Sequence, residues 1–296
     1  MEVTRDVDKL ANHATTPLKA SLVGMALCIL SMISIQVGAA LSGPVMEKLG
    51  SFGATWLRLL FATLFLVPFV RPRIRDYDVR HWQSAGALGC AMAIMTLCFF
   101  ASIQYISLSL AVAIDFLGPL TVAALYGRGV WRILCPLIAA AGVLCLSWDG
   151  RSWTGNTAGA FLALGAAVGW AGYIILMKRV GRRFAGLEGL ALSLLFATLV
   201  ATPLGVIEAL QHVTPMLALQ VALLAILVPL MPYSLEYLAL KRMQTFSFGL
   251  LMSLEPAVGA AIGLLVLGQG LAQVQMLGIA MVVGASAIGS RLQVGK

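Results

Sequence analysis

The chain has 296 residues, of which 60% are hydrophobic and only 11% are charged, and its mean hydropathy is +0.95. An ordinary soluble domain has about 25% charged residues, so a soluble enzyme and a disordered chain are both excluded. The net charge of +8 does not indicate a nucleic-acid binder, because in a chain this apolar the basic excess reflects membrane topology.

The N-terminal segment, 1–19, is polar and carries both signs, so we expect it to be a tail outside the membrane. The uncharged run at 20–41 is too long for a signal peptide, whose apolar core has about 7–15 residues, and it is expected to be a retained span. The five cysteines lie in apolar runs, form no C-x-x-C pair and lie far from the three histidines. Neither a disulfide framework nor a zinc site is therefore expected.

Ten apolar segments follow one another along the chain, each close to the roughly 20 residues that a membrane span needs. They lie at about 20–42, 50–70, 82–104, 107–127, 130–148, 157–177, 187–208, 214–238, 244–267 and 271–290. The bilayer core contains no water to satisfy the backbone, so these continuously apolar spans are predicted to be helices. Strands of a β-barrel would alternate in polarity instead.

Lysine and arginine are distributed asymmetrically between the two sides that these spans define. All but three of the 20 cations fall in the two tails or in alternate loops. Those loops are at 71–80, 128–132, 178–183 and 241–242. The exceptions are Lys48 and Arg151 on the opposite side and Arg58 within span 2. Because short cytoplasmic loops carry the excess of Lys and Arg, both termini are expected to face the cytoplasm.

The two halves of the chain resemble each other weakly. Segment 111–120 aligns with 248–257 at an offset of 137 residues, which places Pro119 against Pro256. The offset pairs span 4 with span 9, and because this is a shift of five spans the second copy enters the membrane from the other side. Such inverted repeats are common in secondary transporters; chance similarity between apolar helices is the alternative.

The predicted fold is therefore an all-α polytopic membrane protein, with ten transmembrane helices as two inverted five-helix repeats. The expected organisation is a cytoplasmic tail at 1–19, a first repeat at 20–148, a periplasmic linker at 149–156, a second repeat at 157–290 and a cytoplasmic tail at 291–296.

Few charged side chains lie inside the predicted spans. A charge at a span centre costs about 2.5–3.5 kcal/mol on insertion scales, so each is a candidate for function. Asp115 in span 4 and Glu255 in span 9 lie near mid-membrane, and Arg58 lies in span 2. Glu236 lies near the inner end of span 8, where reaching water is the alternative to a functional role.

Prolines accompany the two deep acids. Pro119 follows Asp115 by four residues and leaves the Asp115 carbonyl without its helical donor, while Pro256 follows Glu255 directly. A kink and a free carbonyl beside a carboxylate suit a polar pocket. A plain kink, with the acid paired to Arg58, is the alternative.

Other polar and aromatic side chains give weaker signals. Span 8 is interrupted at Pro229 and Pro232, which suits a moving part or a cavity wall. Gln36 is a lone amide in span 1 that either joins helices or binds a ligand. Trp170 and Tyr173 share one face of span 6, where they either line a cavity or fill the core.

Several functional classes lack their motifs. The chain has no G-x-x-x-x-G-K-[ST] loop, no H-E-x-x-H and no G-x-S-x-G segment, so a P-loop ATPase and two classes of hydrolase are not expected. No catalytic residue, cofactor or metal site is predicted. Glycine pairs at 165/169 and 259/263 favour close helix packing, and a homodimer is not indicated.

At these residues the chain resembles the drug/metabolite transporter superfamily of EamA type, over residues 20–290. The resemblance is carried by SIQVGAAL at 34–41, LRL at 57–59, SIQ at 102–104, DFLGPL at 115–120, GWAGYI at 169–174, LMPYSLE at 230–236 and LMSLEPA at 251–257. It is most similar to the threonine and homoserine exporter branch, to which exporters of aromatic amino acids are related. Asp115 stands where that branch has Glu, so the carboxylate is kept on a side chain shorter by one methylene.

The resemblance implies a ten-helix inverted-repeat fold and amino-acid efflux. We therefore expect an inner-membrane secondary transporter that exports amino acids, threonine- or homoserine-like or aromatic, or related small metabolites by alternating access. Its partners would be the substrate and the lipid bilayer, with no nucleic acid. A passive channel for small polar metabolites needs a continuous polar stripe and a membrane-embedded enzyme needs a reactive set, so both are weaker alternatives.

Candidate site residues follow from these signals. Those expected to bind substrate are Gln36, Arg58, Asp115, Trp170, Tyr173 and Glu255, and those expected in gating or coupling are Pro119, Pro232, Glu236 and Pro256. The acids would meet the ammonium of an amino acid, while Arg58, Gln36 or a free backbone donor would meet its carboxylate.

Overall fold

The computed structural model describes residues 2–106, 108–127, 129–147, 156–259, 261 and 272–294, and every regular element in them is helical. The helices are α1 (Glu2–Leu49), α2 (Ser51–Val70), α3 (Val79–Ser102), α4 (Leu108–Asp115), α5 (Leu117–Tyr126), α6 (Trp131–Ser147), α7 (Thr157–Arg183), α8 (Glu188–His212), α9 (Pro215–Ala225), α10 (Met231–Arg242), α11 (Thr245–Met252), α12 (255–259) and α13 (Gln273–Val294). A 3-10 turn at Ile74–Asp76 precedes α3, and a π-type turn at Ile226–Leu230 joins α9 to α10.

Most of the predicted spans correspond to apolar helices in the described residues. Six stretches are long enough to cross a membrane: Ser21–Gly38, Ser51–Val70, Val79–Ser102, Thr157–Arg183, Glu188–His212 and Pro215–Arg242. Shorter apolar helices lie at Leu110–Tyr126, Trp131–Leu146 and Gln273–Ile288. Large side chains such as Phe69 and Phe161 are 83% and 73% exposed, as expected of helices that face lipid. The chain is a multi-pass membrane protein.

Three predicted segments differ from expectation or lie partly outside the described residues. The tail expected at 1–19 is helical from Glu2 and continues without interruption into span 1. The ninth predicted span, 244–267, is described only to 259 and at 261, and the linker at 149–156 only at Asn156. The count of ten spans therefore remains a prediction.

Spans 4 and 9 are each broken next to an acid. Phe116 separates α4 from α5, directly after Asp115, and a turn at 253–254 separates α11 from Glu255 in α12. With the offset of 137 residues, the first residue of α4 aligns with the first residue of α11, and the last residue of α4 aligns with the last residue of α11. The two breaks thus occupy equivalent positions in the halves.

Helix contacts follow a pattern that a two-fold relation between the halves predicts. α2 packs on α8, α5 on α11 and α6 on α13, and each pair unites equivalent spans of the two halves. α3 packs on α7 as α1 packs on α10, which are equivalent pairs under the same exchange. The contacts of the described helices are therefore consistent with the predicted repeat.

The interface of α2 and α8 is held by polar contacts within the apolar bundle. The hydroxyls of Thr63 and Thr198 lie 3.0 Å apart, and Trp56 Nε1 donates to Thr202 Oγ1 at 3.0 Å. Hydrogen bonds of this kind join helices in lipid, where apolar burial supplies no driving force between them. These contacts tie α2 to α8, and we call this pair the scaffold.

Lys and Arg gather at one end of the bundle, which we call the cation-rich end; it contains the loops 71–78, 184–187 and 243–244 and the C-terminal ends of α7 and α10. There Tyr77 Oη donates to Glu188 Oε2 at 2.8 Å and its ring lies 5.0 Å from that of Phe184. Partial burial, together with the bond to the Glu188 carboxylate, raises the pKa of Tyr77 to about 12. This contact ties the start of α3 to the start of α8.

Candidate functional site

A cavity of about 310 Å³ lies inside the bundle, where the helix breaks of the two halves meet. Its walls come from the middle of α1, the second half of α3, α4, the middle of α7, the α9–α10 junction and the start of α12. The predicted site residues that line it are Gln36, Asp115, Trp170, Tyr173, Pro232, Glu236, Glu255 and Pro256. Residues from both halves of the sequence therefore share one cavity.

Three carboxylates line this cavity, on Asp115, Glu236 and Glu255. Asp115 is 9% exposed and Glu236 is 4% exposed. Among the described residues, no Lys or Arg lines the same cavity. Since anionic carboxylates are costly to bury without a counter-charge, the cavity favours an occupant that brings positive charge.

Asp115 offers an acceptor that the protein leaves unused. It is the last residue of α4, immediately before the break at Phe116. Its Oδ1 is buried and has no hydrogen-bond partner among the residues that the structure describes. Buried polar atoms are nearly always paired, so an orphan acceptor in a cavity wall indicates a place for a ligand donor.

Glu236 is anchored by two neighbouring helices. Its Oε1 accepts from Ser31 Oγ of α1 at 2.6 Å, and its Oε2 accepts from Tyr173 Oη of α7 at 2.6 Å. The alternative that Glu236 reaches water at the inner end of span 8 is wrong, because the side chain is buried against these partners. Glu236 instead joins α1, α7 and α10 at the cavity.

Aromatic rings form much of the remaining wall. The rings of Trp170 and Phe116 meet edge to face with centroids 4.9 Å apart, and those of Tyr173 and Tyr233 lie 5.4 Å apart. Trp170 and Tyr173 both line the cavity and both belong to the buried core, so the two readings of this pair are compatible.

Gln36 likewise faces the cavity and takes part in a close helix contact. Its amide lines the cavity, and it also lies against Gly259 of α12, where a Cβ atom would be 3.0 Å from the amide oxygen. The absence of a side chain at Gly259 is what admits the amide at this position.

Arg58 and Pro119 do not line the cavity. Arg58 is buried in α2, where Nη2 donates to Thr55 Oγ1 at 3.4 Å and the guanidinium lies 6.0 Å from the centroid of the Phe100 ring. The alternative pairing of Arg58 with a deep acid is not formed: in the described residues the one ion pair joins His81 and Asp78. The carbonyl of Pro119 instead lies close to Gly249 of α11.

Some wall residues gave no clear signal in the sequence. Thr96, Phe99, Phe116 and Tyr233 line the cavity but were not predicted to. Thr96 is one of three hydroxyl side chains in span 3, with Ser84 and Ser102, and so does not stand out. Tyr233 precedes Glu236 by one turn, which is the one signal that the sequence offered. The two phenylalanines cannot be told from lipid-facing ones by pattern.

The cavity is closed toward the cation-rich end. Cys28, Tyr237 and Met243 lie beyond Glu236 in that direction and are at most 4% exposed. Lys178 of α7 donates to the carbonyls of Leu240 and Met243 at the end of α10, the latter at 2.6 Å.

Lys241 of α10 makes the reciprocal contact, donating to the carbonyls of Phe184 and Gly186 just after α7, at 3.3 and 3.0 Å. Cations at helix C-termini satisfy free carbonyls and interact favourably with the helix dipole. The two lysines thus fasten the ends of α7 and α10 together.

No reactive or metal-binding set accompanies the cavity in the part of the chain that the structure describes. No group of three His, Cys, Asp or Glu side chains comes together there to hold a metal ion. All five cysteines are free thiols.

Apolar helices around a central cavity that contains buried carboxylates and is closed at one end are typical of a membrane transporter. The EamA-like transporter family matches residues 157–290, the residues of the second predicted repeat. The threonine/homoserine exporter RhtA of Escherichia coli (strain K12) is 36% identical over 278 residues, which cover 92% of each chain. RhtA of Salmonella typhimurium (strain SL1344) is 34% identical over 268 residues, 90% of each chain.

The chain belongs to the EamA-like transporter family and is therefore a transporter rather than an enzyme. A solved crystal structure of another protein superimposes with a TM-score of 0.72 over 93% of this chain and 99% of the other. Its sequence identity is 18%, so this similarity concerns the fold alone.

Proposed function

We propose that this protein exports small amino acids of the threonine and homoserine class across the bacterial inner membrane by alternating access. The observation that carries the proposal is a cavity that three carboxylates line and that no Lys or Arg of the described residues lines, between helices of both halves of the sequence. The similarity to two exporters of threonine and homoserine over about nine-tenths of the chain supports the substrate class.

The cavity can bind both charged ends of an amino acid. Asp115 and Glu255 are placed to accept hydrogen bonds from the ammonium group. The amide of Gln36 can donate to the substrate carboxylate, and so can the first N–H groups of α5 and α12, because half-helix N-termini carry positive dipole ends. Arg58 would act from behind the wall, through its field rather than by contact.

The size of the cavity favours a small side chain. Ligand sites range from about 300 to 1,000 Å³, and this cavity, at about 310 Å³, lies at the lower end. Aromatic amino acids are the alternative substrates, and a larger cavity would suit them better.

Alternating access is supported by the closed end of the cavity. A channel needs a continuous polar path, but beyond Glu236 the packing of Cys28, Tyr237 and Met243 leaves none toward the cation-rich end. The helix breaks beside Asp115 and Glu255, and the turn at Ile226–Leu230, provide places where helices can bend without disturbing the scaffold. On the predicted topology the closed end lies on the cytoplasmic side.

Counterflow in liposomes tests the function. Purified protein is reconstituted into vesicles preloaded with unlabelled threonine, and the entry of external radiolabelled threonine is followed. A carrier that alternates gives uptake accelerated by internal substrate, whereas a channel does not. Unlabelled homoserine should compete and phenylalanine should not. Uptake that ignores internal threonine would contradict alternating access, and competition by phenylalanine alone would redirect the substrate class.

Exchange with protons is the proposed coupling. Three carboxylates inside one cavity, two of them buried, need positive charge, which the substrate ammonium or protons can supply in turn. An inward proton gradient should therefore accelerate efflux, and Asp115→Asn or Glu255→Gln should abolish that acceleration, because an amide binds no proton. Efflux from vesicles with an imposed pH gradient measures this. Full gradient dependence in both variants would show that neither acid is the coupling site.

A further inference from the structure

A second recess lies at the cation-rich end, on the surface between α3 and α7 and apart from the central cavity. It has a volume of about 390 Å³. Its walls are Arg80, Gln83, Ser84 and Ala87 of α3 and Leu176, Arg179 and Arg183 of α7. The two cavities share no lining residue.

Three arginines line this recess, and no carboxylate of the described residues pairs with them. Arg183 Nη1 donates to the carbonyl of Arg80 at 2.8 Å and to Ser84 Oγ at 2.6 Å, which fixes its orientation. Over the described ranges, no carboxylate lies within 4.0 Å of Arg80, Arg179 or Arg183. A positive-inside bias accounts for arginines at this end, but it does not require three of them to line one recess. Planar guanidinium groups match the oxygens of a phosphate.

The recess changes from charged to apolar along the helices. Arg80 and Arg183 lie at the helix ends, whereas Ala87 and Leu176 lie seven residues further along, about 10 Å at 1.5 Å per residue. Beyond them the lipid-facing surface continues through exposed side chains such as Val168, 72% exposed. Headgroup layers are roughly 5–7 Å thick on each side of the hydrocarbon, so this depth spans the transition from headgroup to acyl chain.

The geometry points to an anionic phospholipid bound with its headgroup phosphate among Arg80, Arg179 and Arg183, and with its acyl chains along the apolar faces of α3 and α7. Basic pockets between transmembrane helices on the cytoplasmic side suit such headgroups. A free phosphate would share the arginines but would leave the apolar floor at Ala87 and Leu176 unused. Because α3 and α7 also form the walls of the central cavity, the lipid would stabilise their packing next to it.

Lipid binding to the purified full-length protein tests this. The triple variant Arg80→Gln, Arg179→Gln, Arg183→Gln is compared with the matched variant Arg73→Gln, Arg75→Gln, Arg182→Gln. The control removes the same charge at the same end but no recess residue, so nonspecific attraction to anionic lipid falls equally in both. The double variant Arg80→Gln, Arg179→Gln retains the contact of Arg183 with Ser84, in case the triple variant fails to fold.

The measurements are lipid retention by native mass spectrometry and the rise in Tm on addition of phosphatidylglycerol, phosphatidylcholine or inorganic phosphate. Phosphatidylglycerol should bind the parent and control proteins about tenfold more tightly than it binds the recess variants. It should raise the Tm of the parent and control proteins but not that of the recess variants. Equal loss in the recess and control variants would overturn the site. A rise in Tm with inorganic phosphate but not with phosphatidylglycerol would contradict the assignment of a lipid as the ligand.

Discussion

The carboxylates of Asp115 and Glu236 are both buried in the central cavity, yet they differ in their hydrogen-bond partners. Glu236 accepts hydrogen bonds from Ser31 and Tyr173 and is held in place by two helices. The Oδ1 of Asp115 has no partner in the described residues. A satisfied carboxylate positions its neighbours, whereas an unsatisfied one is ready to accept from a ligand. We therefore expect the substrate to contact Asp115 before it contacts Glu236.

Loss of substrate affinity is expected from each of Gln36→Ala, Trp170→Ala and Glu255→Gln. Removing a hydrogen-bond partner of a charged group, as at Gln36 and Glu255, costs about 1.5–3 kcal/mol, which is about ten- to a hundredfold in affinity. Trp170→Ala instead removes an aromatic part of the cavity wall. The concentration dependence of counterflow measures it. Phe161→Ala is the control, because Phe161 lies on the same helix as Trp170 but is 73% exposed on the lipid side. Affinity close to that of the parent in all three variants would place the site elsewhere in the bundle.

At the scale of elements, α3 and α7 approach so closely that glycine is required on α7. A Cβ atom at Gly169 would lie 2.6 Å from the backbone nitrogen of Met95, and one at Gly165 would lie 3.3 Å from Cys98 Sγ. The predicted preference for close packing at this glycine pair is confirmed. The contact brings Trp170 and Thr96 to the same cavity.

Gly169→Ala is expected to destabilise the protein by about 1–3 kcal/mol, the usual cost of overpacking, because the backbone of α3 must shift. Gly172→Ala is the matched control on the same helix, since its Cβ would meet only Ala91 Cβ at 3.7 Å, an ordinary contact. The Tm of each variant in detergent measures the difference. A Gly169→Ala protein as stable as the Gly172→Ala protein would show that the helices separate without strain.

At the scale of the whole molecule, the distribution of cations predicts the orientation in the membrane. All but three of the 20 Lys and Arg lie in the tails or in alternate loops of the predicted topology, and the cation-rich end is also where the central cavity is closed. If the cation-rich end faces the cytoplasm, the cavity is closed on the cytoplasmic side, and export requires a second state with the closure between α7 and α10 opened.

A fusion of green fluorescent protein after Lys296 should fluoresce, and an alkaline phosphatase fusion at the same place should be inactive, since both report a cytoplasmic terminus. The same reporters inserted at the predicted periplasmic linker, 149–156, should give the opposite pair of results. Active phosphatase after Lys296 would contradict the even number of spans and with it the inverted repeat.

The amino-acid sequence by itself determined that this is a multi-pass helical membrane protein, where most of its spans lie, and which polar residues they carry. Membrane insertion depends on the apolar content of each segment and on the charges beside it, and both are local properties of the chain. The positions of Asp115 and Glu255 beside prolines likewise predicted the helix breaks, because proline acts on its own helix.

Only the tertiary structure decided which of these residues meet. It brought Glu236 from the end of span 8 into the cavity with Asp115 and Glu255, and it placed Arg58 behind Phe100 instead of in the wall. The direction in which a side chain points depends on how each helix is rotated and crossed against its neighbours. Close approaches such as that of Gly169 to Met95 set this rotation, and they join residues far apart in a sequence whose hydropathy is nearly uniform around each helix.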